Sequence, residues 1–341
     1  MVQLADRLRR PSLRFVEGIN FELTYDCPLA CHHCLQADLR RAGKTGWAAP
    51  EMIVQTIHEA VDLGLTSTGI NFTGGEIFVP GSPLSQFLQV TKELGVPVRI
   101  NTSGWWVHGR PFQIGERTFS NTQAVVDWLK DSGVAMLAIS WDRRFTQYPI
   151  LKQRVCQLID ACEQRQLPYQ IAITAATAAE DAALTKDLEQ HILRPPFLGE
   201  IVSMDMVDLG AARTCMETAQ REPQEPLNTL IARTPCGGRG IYRPSFLHIA
   251  PDGGLRSCMY ASGANWLGSI AKQSLTELLQ IFATNPVVAA FASGQLERLI
   301  MPAGPSRPAP ADWPRHPCAV AARCAASIHK IYQNKHHITP C

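Results

Sequence analysis

Short apolar runs rich in β-branched residues alternate with longer stretches of helical period along the first two thirds of the chain. Parallel strands need a crossover between them, usually a helix, so this alternation constrains the fold to a parallel α/β architecture. Strands are expected near Asn20–Thr24, Thr68–Phe72, Pro97–Asn101, Val134–Ser140, Tyr169–Thr174 and Ile201–Val207. Between them, Ile53, Ile57, Ala60 and Val61 share one helical face that stops at Gly64. Ser82 as N-cap and Pro83 at the first position open a helix that buries Leu84, Phe87, Leu88, Thr91 and Leu94 before Gly95. Leu151, Val155, Leu158, Ile159 and Cys162 form a third stripe, ended by Pro168. Such strand–helix units predict a (β/α)6 sheet, curved or partly closed; a flat doubly wound sheet stays open, because sequence does not fix strand order. In both, chemistry belongs at the C-terminal ends of the strands.

The 341 residues suffice for a large domain and a smaller one, and 45% hydrophobic content against 18% charge supplies a sizeable core and excludes a disordered chain. Lys and Arg exceed Asp and Glu by only 32 − 30 = 2, with no long basic run, so no nucleic-acid partner is expected. No stretch approaches the roughly 18 apolar residues of a membrane span. No apolar segment follows Arg7, Arg9 and Arg10 as it would in a secretory signal. Eleven cysteines in a chain without an export signal point to metal ligation and free thiols in a cytoplasmic protein.

After residue 213 the pattern changes. Ser245–Ala250, a Pro251-Asp-Gly-Gly254 turn and Leu255–Met259 read as a β-hairpin. A helical stripe follows (Leu275, Leu278, Leu279, Phe282), then a Pro-rich stretch from Pro302 to Pro317. We therefore expect a core over residues 1–213 and a small cysteine-bearing domain over 214–341.

Two motifs carry chemistry. Cys27-Pro-Leu-Ala-Cys31-His-His-Cys34 follows the first strand, and three thiolates there can hold one metal centre while leaving a position open. A structural zinc with His32 or His33 as fourth ligand is the alternative, although zinc sites usually pair two separated Cys-x2-Cys units. Thr73-Gly74-Gly75-Glu76 ends the second strand; its glycines allow close approach to the backbone and Glu76 offers an acceptor to a ligand amine.

Together these residues resemble the radical S-adenosylmethionine (SAM) superfamily, whose hallmark is a C-x3-C-x2-C loop after strand one and a GGE-type motif after strand two. The resemblance implies a partial (β/α)6 TIM-like barrel and a [4Fe–4S] cluster on Cys27, Cys31 and Cys34, with SAM chelating its open iron. Electron transfer from a reductant such as flavodoxin or ferredoxin would cleave SAM to methionine and a 5′-deoxyadenosyl radical that abstracts a substrate hydrogen. Gly74, Gly75 and Glu76 would contact the methionine part of SAM. Asn101 and Ser103 after the third strand, and Ser140 and Asp142 at the end of the fourth, would make further cofactor contacts; ordinary polar strand caps are the alternative.

Cys236, Cys258, Cys318 and Cys324 resemble the ligands of a SPASM or twitch auxiliary [4Fe–4S] domain, with Cys341 able to replace one of them. Cys162 belongs to an apolar stripe and reads as a buried small hydrophobe. Cys215, after the sixth strand, is a candidate hydrogen-atom donor. Trp105-Trp106 would line a substrate pocket or pack against the rim. The phrases Phe72–Phe78, Ser103–Trp106, Ala138–Asp142 and Gly210–Arg213 are most similar to a ribosomal-peptide epimerase group. That group places its donor thiol directly after the hairpin cysteine, where this chain has Met259. About 20 residues precede the first strand, too few for a leader-recognition domain of roughly 80. Three functions are therefore weighed: a peptide-modifying radical enzyme, performing epimerisation or oxidation; a radical dehydrogenase or epimerase acting on an aminocyclitol or sugar; and a non-catalytic metal-binding protein.

Overall fold

The structure is a computed structural model that describes residues 18–108, 110–191, 198–207, 209–213, 246–256 and 267–285, with positions 316 and 319. Six parallel strands form its frame: β1 (Gly18–Glu22), β2 (Gly69–Thr73), β3 (Val98–Thr102), β6 (Val134–Asp142), β7 (Tyr169–Ala175) and β8 (Gly199–Asp205). Every one lies within two residues of its expected position, because each apolar run is flanked by turn-forming or polar residues that mark its ends. They neighbour one another in chain order, β1-β2-β3-β6-β7-β8, with no reversal. A doubly wound sheet reverses its strand order at a switch point, so that alternative is corrected: the sheet is singly wound. Right-handed crossovers between successive neighbours then place the connecting helices on one face and leave the other concave.

The connecting helices are α1 (Ala37–Arg41) and α2 (Pro50–Asp62) after β1, α3 (Leu84–Glu93) after β2, α4 (Thr122–Asp131) before β6, α5 (Arg144–Gln147) and α6 (Ile150–Arg165) after it, and α7 (Ala178–His191) after β7. Their expected stripes are buried: Ile53, Ile57 and Ala60 on α2; Leu84, Phe87 and Leu88 on α3; Leu151, Val155, Leu158, Ile159 and Cys162 on α6. They pack on the helix-side residues of the sheet; Phe72 of β2, for example, lies with ring centroids 5.9 Å from Phe21 and 5.6 Å from Phe87. Pro83 is the residue before α3 rather than its first position, and Ser82 Oγ accepts the Leu84 N–H at 3.3 Å. Among the described residues, no helix is long and apolar enough to cross a membrane.

Two features lie outside the six units. A short hairpin, β4 (Phe112–Ile114) and β5 (Arg117–Phe119), is inserted between β3 and α4. The expected C-terminal hairpin is β9 (Phe246–Ile249) with β10 (Leu255–Arg256), antiparallel around the Asp252-Gly253 turn. It extends the main sheet, β9 lying parallel to β1 from Gly18↔Phe246 to Phe21↔Ile249. Helix α8 (Leu275–Thr284) buries Leu275, Leu278, Leu279 and Phe282 as expected; its Ser274–Glu277 capping box fixes its start, and Leu275 N–H donates to Glu59 of α2 at 2.7 Å.

Candidate functional site

The three cysteines of the first motif sit in the loop between β1 and α1, each partly exposed, and all are free thiols. Three segments at the C-terminal ends of the strands clamp this loop. From β2, Gly75 N–H donates to Thr24 O at 2.7 Å and Glu76 N–H to Asp26 O at 3.0 Å. A Cβ on Gly75 would lie 1.6 Å from Asp26 O, so glycine is required where these two backbones meet. From α5, Tyr148 OH accepts the Ala30 N–H at 3.0 Å, while Gln147 accepts from His32 N at 3.2 Å and donates to Ala30 O at 3.0 Å. After β8, Ala211 N–H donates to Cys34 O at 2.9 Å, and Gly210 packs so closely that a Cβ would lie 2.4 Å from that same oxygen.

Glu76 is buried, and its carboxylate accepts the N–H groups of Phe78 at 3.1 Å and Ser103 at 2.9 Å, the Thr102 hydroxyl at 3.1 Å, and the Ser103 hydroxyl. Burial pushes its pKa up, and these donors pull against that rise. Asp142, also buried, accepts Arg144 N–H at 2.9 Å and pairs with Arg144 Nη1 and with His33 Nε2, each at 3.3 Å. Burial alone would raise its pKa, but the Arg144 guanidinium and His33 hold it at about 2. Arg144 Nη2 donates to Ser103 O at 3.0 Å and to Ser140 O, tying the ends of β3 and β6 together. The thiols are the reverse case: burial, with the Glu76 charge beside it, pushes Cys27 up to about 11, and burial pushes Cys31 up to about 12 despite Arg144.

Gly74, Gly75, Glu76, Ser103 and Asp142 thus stand with the cysteine loop at the C-terminal ends of the strands, each engaged within the protein. Gly74 and Gly75 serve contact between backbones, and Asp142 bonds within the protein. Ser103 is spent on Glu76; Ser140 Oγ lies 3.5 Å from Thr102 O, and Asn101 faces the concave side of the sheet, accepting from Arg99. Trp106 is buried against Phe78 with centroids 4.8 Å apart, and Arg154 covers Trp105. Arg144, Gln147 and Tyr148 escaped sequence reasoning; their only signal was their position just after the fourth parallel strand. Cys215, Cys236, Cys258, Cys318, Cys324 and Cys341 lie outside the described residues.

A cavity of about 530 Å³ opens beside the loop, lined by Cys27, Leu29, Cys31, His32, Arg40 and Arg41 among others. A single zinc needs its thiolates and imidazoles within about 2.3 Å of one point. No three His, Cys, Asp or Glu side chains among the described residues are arranged to hold one metal ion. Three partly exposed thiols in one loop beside a cavity are a donor set that could hold an iron–sulfur cluster with one iron left open.

A singly wound (β/α)6 sheet with a cysteine loop clamped over its C-terminal end defines a partial, TIM-barrel-like α/β fold. The solved structures similar to this chain include native anSMEcpe with bound AdoMet, at a TM-score of 0.54 and 11% identity over 94% of this chain and 97% of that one. A histidine-tagged form of anSMEcpe, also with bound AdoMet, gives 0.52 and 11% over 93% and 99%. No family model and no curated protein matches the sequence.

Proposed function

We propose that this chain is a radical SAM enzyme that modifies a ribosomally made peptide by epimerisation or oxidation. The observation that carries the reading is the clamped three-cysteine loop, held by the segment after β2 and the end of β6 beside an open cavity. Cys27, Cys31 and Cys34 would hold a [4Fe–4S] cluster, which supplies the electron that cleaves SAM to methionine and a 5′-deoxyadenosyl radical. The chain's own residues do the rest. Gly74 to Glu76 and Gln147 to Tyr148 keep the thiols in register, Arg144 and Asp142 lock the rim, and the cavity admits the cofactor. Glu76 remains the candidate acceptor for the SAM amino group, on condition that one of its present donors yields to it. Asn101, Ser103, Ser140 and Asp142 are candidates for further SAM contacts at the rim.

The same reading assigns Cys236, Cys258, Cys318 and Cys324 to an auxiliary [4Fe–4S] cluster in a domain over 214–341. It assigns the hydrogen-donor role to Cys215 if the reaction is inversion, and the supply of electrons to a flavodoxin or ferredoxin. The test is anaerobic reconstitution with iron and sulfide, followed by assay of 5′-deoxyadenosine from SAM under reductant. We expect about eight irons per chain, falling to about four with no SAM cleavage when Cys27, Cys31 and Cys34 are all changed to Ala. Continued 5′-deoxyadenosine production by that triple variant would falsify the reading.

A further inference from the structure

The concave face of a small barrel is ordinarily filled by branched apolar side chains. Here it is polar. Strand registers set Asn20 beside Asn71 and Asn71 beside Arg99, and on the far side of β6 set Gln170 beside Glu200. Along β3 and β7 burial alternates strictly: helix-side residues are buried while Arg99, Asn101, Gln170, Ala172 and Thr174 on the concave side stay partly open. Along these two strands the concave face therefore stays partly open.

Arg99, the second residue of β3, lies on this face. Its Nη1 donates to Asn71 Oδ1 at 3.2 Å and to Asn101 Oδ1 at 2.9 Å, and Nη2 donates to Gln170 Oε1. All three acceptors are neutral amides, which fix a guanidinium without cancelling its charge. The nearby carboxylate, Glu200, accepts from Gln170 Nε2 at 3.1 Å and acts on the Arg99 charge through space, without a direct hydrogen bond to it among the described residues. The three bonds leave Nε–H and one Nη2–H without a protein partner among the described residues. These neighbouring donors are suited to take both oxygens of a carboxylate or phosphate. A charge held half-buried and compensated only in part by Glu200 costs stability, which binding an anion would offset.

We propose that Arg99, held by Asn71, Asn101 and Gln170, is an oxyanion-binding site on the concave face of the sheet that takes a carboxylate or phosphate group of the substrate. Calling the ligand a substrate rests on the function proposed above. The binding itself does not, so its test needs neither cluster nor turnover.

The experiment is a ¹⁹F linewidth titration of the full-length chain with trifluoroacetate as carboxylate probe, monofluorophosphate as phosphate probe and trifluoroethanol as neutral control. One anion is expected to broaden saturably while the alcohol does not, and the stronger binder identifies the source of the oxyanion. Arg99→Gln should weaken that binding about tenfold or more, the range for a lost charged hydrogen bond. Asn71→Asp keeps the shape of the site but sets a carboxylate against the guanidinium, and should weaken it similarly; it carries the test should Arg99→Gln fail to fold. Binding of neither anion, or binding undiminished in Asn71→Asp, overturns the proposal.

Discussion

At the scale of single residues, Glu76 does more than a ligand contact requires. Its carboxylate collects donors from Phe78, Thr102 and Ser103, so it joins the ends of β2 and β3. Glu76→Gln presents an amide N–H where at least one of those donors now points. We expect a loss of about 1–3 kcal/mol in urea unfolding without any cofactor present. On the proposed function, SAM affinity should also fall roughly tenfold or more. An unchanged midpoint would show that the donors are satisfied elsewhere. Sequence made Glu76 visible but not this web, because the Thr102 and Ser103 partners lie 26 and 27 positions away. Arg99 was invisible for a related reason: a charge inside a strand reads as a solvent-facing residue until register shows that its face is the concave one.

At the scale of elements, the glycine turn after β2 is a spacer-free contact with the cysteine loop. Gly75→Ala drives a Cβ to within 1.6 Å of a backbone oxygen that has no side-chain freedom to yield. The loop must shift, and iron incorporation on reconstitution should drop well below that of the parent chain. Gly46→Ala is the control, since nothing lies within 4 Å of its Cβ and its φ is ordinary. Equal iron content in both variants would refute the clamp. On the α5 side, Tyr148→Phe removes the acceptor of Ala30 N–H, a loss of about 0.5–1.5 kcal/mol measurable by thermal melting. The long elements were legible because their apolar spacing matched strand or helix period over enough residues. The β4–β5 hairpin was not: its strands span three residues each, Phe112–Ile114 and Arg117–Phe119, too short for alternation to register. The helix start at Leu84 missed by one residue because Ser82 caps across Pro83.

At the scale of the whole molecule, a buried triad joins the hairpin to the first strand. Arg256 Nη2 on β10 donates to Glu22 at 2.7 Å and contacts Tyr25, whose hydroxyl donates to Glu22 at 2.9 Å. Arg256→Met strands the Glu22 carboxylate in the interior, and unfolding free energy should drop by about 3–5 kcal/mol. His248 on β9 adds a pH dependence. Burial and then the Arg256 charge lower its pKa to about 3, against 6.5 in the unfolded chain. A depressed histidine pKa means the unfolded state binds the extra proton. Stability is therefore full above pH 6.5 and declines as pH falls from there toward 3, at up to about 1.4 kcal/mol per unit. His248→Gln should flatten that decline in denaturant titrations across about pH 6.5 to 4; an unaltered slope would assign it to the carboxylates instead.

The seating of β9 against β1 also sets a timetable for synthesis. The paired residues Gly18 and Phe246 stand 246 − 18 = 228 positions apart. At about 5–20 residues per second, roughly 10–45 seconds of translation separate the first strand from the neighbour that shields it. During that interval β1 offers a bare row of N–H and C=O groups to any other chain nearby. The loop bearing Cys27, Cys31 and Cys34, which follows β1 directly, is already made. A nascent chain slowed before residue 246 should therefore aggregate through its own first strand, and maturation factors would have their widest access to those thiols before the hairpin arrives.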